Sequence, residues 1–247
     1  MRFLEQWVSR DLHGHLVRDR MASFRQRLQF VCPPMKVVFF DAVGTLIRLQ
    51  QSVGETYSRI AQRHGLAVPP EALESAFRLE WPRMATPVHE GPSPDDDRGW
   101  WKTLVARVFN SAGATVEVND HLFGELYDHF AKPEAWQLFP DVLPTLERLA
   151  TQYRLFVLSN FDQRLRRILA GHGLDRWFED MIISSESGTS KPDERIFRIA
   201  LQRAGADADE CLHVGDDLQA DGEGSRRAGI QFYHVQRPER GLDRILL

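Results

Sequence analysis

Hydrophobic and polar positions change their pattern along this chain at Lys36. Beyond that point five short runs are almost continuously apolar and rich in β-formers: residues 37–40, 155–159, 181–184, 211–214 and 231–235. Unbroken apolar runs, as opposed to alternating ones, predict strands covered on both faces, as in a parallel sheet. Helical spacing separates the later runs. Asp162 can cap a helix carrying Leu165, Ile168 and Leu169, which stops near Gly171 and Gly173. Pro192 suits a first helical position, followed by the first-turn acids Asp193 and Glu194 and the apolar Ile196, Phe197 and Ala200.

Strand–helix alternation of this kind predicts an α/β fold with a doubly wound, Rossmann-like parallel sheet. More than a hundred residues separate the first run from the second, too many for one crossover helix. Within them, residues 53–64, 71–80, 100–110 and 121–130 read as helices, and nothing reads as a strong strand. The expected organisation is therefore an α/β core from residues 35–51 and 135–247, with an inserted all-helical cap domain over residues 52–134. A cap leaving after the first strand would overhang the carboxyl end of the sheet, where ligands bind in such folds. Residues 1–34 are set apart by Pro33-Pro34. They hold Arg2, Arg10, Arg18, Arg20, Arg25 and Arg27 against Glu5, Asp11 and Asp19, and carry no apolar leader core. They read as an expendable helical arm, or as sequence upstream of a true start at Met35.

Composition narrows the function classes. The 247 residues are 43% apolar and 27% charged, as in an ordinary globular protein. Lys plus Arg number 31 and Asp plus Glu 35, a net charge of −4, so no general attraction to nucleic acid or to an anionic membrane is expected. No apolar run approaches the ~20 residues of a membrane span. Two cysteines, Cys32 and Cys211, make neither a disulfide framework nor a zinc cluster, and Cys211 reads as a small core residue. A reducing, cytoplasmic setting is expected. The sequence is silent on oligomeric state.

Candidate chemistry sits where the predicted strands end. The first run delivers Asp41, followed by Gly44 and Thr45 in a turn. A carboxylate held there can attack phosphorus, or it can simply cap a helix. The second run ends in Ser159-Asn160, a hydroxyl suited to a phosphate oxygen, although a serine at a strand end also serves as a cap. Lys191 stands before Pro192, where an ammonium can neutralise a nucleophile and developing charge, or lie in solvent. The fourth run leads into Asp216, Asp217 and Asp221, like charges that suit an oxygen-ligated magnesium ion or form an acidic turn. In the predicted cap, His89, Glu90, Asp95, Asp96, Asp97 and Arg98 read as a solvated loop, and Trp81, Trp100 and Trp101 as cap core. His213 reads as a packed strand residue.

Taken in order, D-x-x-G-T-L, S-N, K-P and G-D-D-x-x-x-D resemble the motifs of the haloacid-dehalogenase-like hydrolase superfamily over about residues 35–237. The helical insertion resembles its type-one cap. Val53-Gly-Glu-Thr-Tyr, His64-Gly-Leu and Trp100-Trp-Lys resemble the subgroup named after the rhythmically expressed gene-2 protein. The resemblance implies that Asp41 is the nucleophile and that Lys191 and Ser159 bind phosphate, with Gly44, Thr45 and Asn160 beside them. It also implies a Mg2+ cofactor held by Asp41, the main-chain carbonyl of Val43 and Asp216, supported by Asp217 and Asp221. The substrate it implies is a small phosphorylated molecule.

One position departs from that pattern. Phosphatases of the superfamily carry a second aspartate two residues after the nucleophile, as the acid that protonates the leaving oxygen; here it is Val43. Losing a general acid typically costs about 10²–10⁴-fold in rate. Three readings follow: a magnesium-dependent phosphatase with a restricted choice of leaving group, a non-catalytic binding protein that keeps the site, and a 2-haloacid dehalogenase. The acids at 216, 217 and 221 speak against the last.

Overall fold

The computed structural model describes residues 34–85, 87, 97–114 and 118–246. The expected N-terminal arm and Cys32 lie outside these residues, as do His89, Glu90, Asp95 and Asp96 of the expected loop.

Five parallel strands form the central sheet: β1 (Val37–Phe40), β4 (Arg154–Ser159), β5 (Asp180–Ile183), β6 (Cys211–Gly215) and β7 (Gln231–His234). Their order is β5-β4-β1-β6-β7, so the first strand lies at the centre. Phe40 stands opposite Val157 on one side and Val214 on the other. Each β1 residue is buried, and the two faces feed different cores. Val38 and Phe40 pack with α5 (Val142–Leu149) and α6 (Arg164–Gly171); Val37 and Phe39 pack with α7 (Glu194–Ala204). Helices on both faces explain why the strands read as continuous apolar runs.

The helix after Lys191 begins later than expected. Asp193 is its cap, its Oδ1 accepting from the Arg195 N–H at 2.8 Å, so Pro192 belongs to the preceding turn. An aspartate that can close on the second amide beyond it sets the start in place of the proline.

Between β1 and β4 the chain builds four helices: α1 (Val53–Arg63), α2 (Pro70–Glu80), α3 (Asp97–Ser111) and α4 (Asp120–His129). Ser52 and Glu55 close a capping box at the start of α1, and Asn119 caps α4, its side chain accepting from the Leu122 N–H. The third helix starts earlier than its apolar spacing announces. Asp97 and Arg98, expected in a solvated loop, form its first turn, and Asp97 is buried. Tyr57, Ile60, Leu73, Leu104, Phe109 and Leu126 meet in a core of the helices' own. A short antiparallel pair, β2 (Ile47–Leu49) with β3 (Trp136–Leu138), leads the chain out and back. Leu49 and Phe130 pack against both cores, joining the helices to the sheet.

Candidate active site

Asp41 is the first residue beyond β1, and its N–H donates to Val214 O at 2.8 Å, which holds it at the centre of the sheet's carboxyl edge. Its side chain is buried. Ser159 Oγ donates to Asp41 Oδ1 at 3.0 Å, and Lys191 Nζ donates to the same oxygen at 2.7 Å. Lys191 Nζ also donates to Asp221 Oδ1 at 2.6 Å. Asn160 anchors the lysine from behind: its Oδ1 accepts from Lys191 N at 2.7 Å and its Nδ2 donates to Lys191 O at 2.8 Å. Thus β1, β4, the turn before α7 and the segment after β6 all deliver side chains to one place.

Gly44 lets the loop after Asp41 pass against Asp216. Its φ is +86°, and a Cβ there would come within 2.7 Å of Asp216 Oδ1. The left-handed backbone and the close approach both call for glycine. Thr45 Oγ1 stands 3.4 Å from Asp216 Oδ1, a long contact. Carboxylate oxygens of Asp41, Asp216 and Asp221 all lie within 4.8 Å of one another.

Electrostatics follow from that crowding. Burial pushes the Asp41 carboxyl up, and Lys191 only partly opposes it. Burial, then the charges of Asp41 and Asp221, push Asp216 up to about 7. Burial would also raise Asp221, but Lys191 and then His213 outweigh it and hold Asp221 below the usual carboxylate range. Lys191 itself would be pushed down by burial; Asp221 and Asp41 together hold it above the usual lysine range. Three carboxylates against one ammonium leave negative charge in excess. A divalent cation with a preference for hard oxygen donors fits such a set.

Residues 35–229 match the family described as haloacid dehalogenase-like hydrolase. The chain belongs to this family. A haloacid dehalogenase-like hydrolase domain-containing protein 3 from Danio rerio is 37% identical over 210 residues, covering 83% of this chain and 87% of the relative. The rhythmically expressed gene 2 protein of Drosophila melanogaster is 27% identical over 203 residues, 75% of this chain and 77% of that one, in keeping with the subgroup motifs. Among solved structures, the Bacillus subtilis HAD-hydrolase YfnB bound to magnesium aligns with a TM-score of 0.66 at 19% identity, covering 82% of this chain and 89% of that one. At that identity the likeness is one of fold.

Within this hydrolase frame the expected residues take different places. Asp41, Ser159, Lys191, Asp216 and Asp221 converge. Asp217 does not join the carboxylate cluster: its Oδ1 caps the following π-helical turn, accepting from Gln219 N at 2.7 Å and Ala220 N at 2.8 Å. Asn160 spends both ends of its amide on the Lys191 backbone. Thr45 is buried, and Val43 is 38% exposed beside the nucleophile. Trp81, Trp100 and Trp101 pack on one another, with Trp81 half exposed, and Arg98 lies over the Tyr127 ring.

Two contacts were not legible in the sequence. His213 is buried as expected, but its Nε2 meets Asp221 Oδ1 at 2.8 Å. Arg164, on the segment after Ser159, is buried against Asp162, with Nη2–Oδ2 at 2.7 Å, and stacks 3.8 Å from the centre of the Tyr127 ring on α4. That stack links the edge of the sheet to the helical insertion. Nothing in the sequence around Arg164 signals the contact, because its partner lies 37 positions away on another element.

Proposed function

We propose that this hydrolase cleaves a small phosphorylated molecule through a phospho-aspartyl intermediate on Asp41, with magnesium as its cofactor. The observation that carries the reading is the Lys191 bridge between Asp41 and Asp221. A buried ammonium 2.7 Å from a buried carboxylate offsets part of the burial that disfavours its charged form, the form that attacks. Asp41 would form the O–P bond as the ester P–O bond breaks, the electron pair leaving with the alcohol oxygen. Water would then cleave the acyl phosphate and free Asp41. Ser159 and Lys191 would bind the phosphoryl oxygens.

Asp41 and Asp216, with the main-chain carbonyl of Val43, would hold magnesium. The ion would supply charge neutralisation at the phosphoryl group. Asp221 is committed to protein donors on both oxygens, Lys191 and His213 on Oδ1 and Asp217 N at 3.1 Å on Oδ2, so it supports the site from behind. The magnesium bound to the YfnB relative supports the same choice of ion. A reducing, cytoplasmic setting belongs to this reading, with Cys211 buried as a free thiol.

Val43 favours a second reading, a binding protein that keeps the site without turnover. Release of p-nitrophenol from p-nitrophenyl phosphate, with and without magnesium, in wild type and Asp41→Asn, separates the two. Magnesium-dependent release that Asp41→Asn abolishes is expected. Magnesium binding with no release from any phosphate ester would favour the second reading.

A further inference from the structure

His213 lies on β6, fully buried, between the rings of Phe197 at 5.6 Å and Phe232 at 6.3 Å. Those neighbours would accept a leucine or a phenylalanine. The imidazole instead buries Nδ1 with no hydrogen-bond partner, which is unfavourable in an apolar setting. What the ring gains is a single contact, Nε2 to Asp221 Oδ1 at 2.8 Å. Ionised Asp221 can only accept, so a ring proton belongs on Nε2 and His213 donates.

That contact sits at the head of a continuous chain. Asp221 Oδ1 receives His213 Nε2 and Lys191 Nζ together, and Lys191 Nζ reaches on to Asp41 Oδ1. A carboxylate can rotate about its Cβ–Cγ bond. Here Asp217 N fixes one oxygen and His213 the other, which sets the plane in which Lys191 must meet it. Gly215 closes the remaining space, since a Cβ there would overlap the Asp221 carboxylate.

We propose that His213 is a positioning residue: by donating from Nε2 it orients Asp221, and Asp221 in turn holds the Lys191 ammonium on the nucleophile Asp41. The effect on rate rests on the phosphatase reading above; the hydrogen-bond chain does not. Groups that orient a functional side chain from behind typically contribute about 10–100-fold when removed.

The test uses the full chain and two variants. His213→Leu fills the apolar surroundings without a donor; His213→Gln places an N–H near the former Nε2. Three readouts are taken: the tautomer of His213 in wild type by ¹⁵N NMR, the Lys191 ammonium resonance in all three proteins, and kcat and KM for p-nitrophenyl phosphate with magnesium. A proton on Nε2 is expected, with a sharp Lys191 resonance in wild type that broadens or moves in His213→Leu and returns in His213→Gln. The leucine variant should lose about tenfold or more in kcat, with KM and melting temperature little changed, and the glutamine variant should recover most of it. A wild-type ring with its proton on Nδ1 and none on Nε2 overturns the proposal, even where a variant fails to fold. So does an unmoved Lys191 resonance in His213→Leu, or equal losses in both variants. If wild type turns over no phosphate, the phosphatase reading fails, while the tautomer and the Lys191 resonance still decide the role of His213.

Discussion

Gly44 and Asp216 approach so closely that no side chain fits between them: a Cβ on Gly44 would come within 2.7 Å of Asp216 Oδ1. Two segments far apart in the chain therefore share one surface, and glycine is the residue that permits it. Gly44→Ala should disturb both. The left-handed backbone alone costs an L-residue about 1–2 kcal/mol, and the added methyl must displace the Asp216 carboxylate. A lower melting temperature and a clear loss of magnesium affinity by calorimetry are expected. Unchanged magnesium affinity would show that Asp216 is not a ligand.

Asp216→Asn tests the same site without strain on the backbone. Replacing one of the carboxylates by an amide removes a charge the ion needs, and magnesium affinity should fall at least about tenfold. Calorimetry on both proteins measures it directly.

Magnesium binding should also depend on pH. The Asp216 carboxyl is pushed up to about 7 by burial and by its carboxylate neighbours. Below that pH it carries a proton that the ion must displace, so affinity should rise toward about pH 7 and level off above it. Without metal the linkage has the opposite sign. A carboxyl raised in the folded state favours folding while protonated, and that contribution is lost as pH climbs from the ordinary carboxylate range through the raised value. The gain in melting temperature on adding magnesium should therefore be larger at about pH 8 than at about pH 5.5. A gain independent of pH would remove Asp216 from the site.

Val43 stands where a proton donor is expected and cannot supply one. The rate should then follow the stability of the leaving group: aryl and acyl phosphates turn over, simple alkyl phosphates barely react. Val43→Asp should raise alkyl-phosphate turnover by about 10²-fold or more. The ratio of aryl to alkyl rates in the two proteins is the measurement. Rapid alkyl-phosphate hydrolysis by wild type would mean that another group donates the proton.

A chain beginning at Met35 should fold and keep its activity, because every described strand and core is built from that residue onward. Melting temperature and p-nitrophenyl phosphate turnover of the shortened protein check this. A large fall in either would give the preceding segment a structural role.

Much of the architecture was written locally. Val37–Phe40 could be read as a central strand because all four positions are apolar, and only burial on both faces makes that pattern stable. The helices of the insertion were readable from their spacing, since a helix core repeats within the helix itself. Asp41, Ser159, Lys191 and Asp216 could be singled out because each follows a run or shortly precedes a helix, and a parallel sheet collects such ends on one edge. Contacts that depend on the sheet order β5-β4-β1-β6-β7 were not written locally. The β2–β3 pair joins two short segments with the whole helical insertion between them, too short to announce themselves as strands. Asp217 and Asp221 look alike in the sequence, yet one caps its own turn and the other reaches Lys191 and His213. Asn160 turned out to hold a backbone 31 residues away, and His213 to hold an acid behind the site. Sequence pattern reports what a residue shares with its neighbours along the chain; which polar atom meets which is decided only when packing brings distant segments within hydrogen-bond reach.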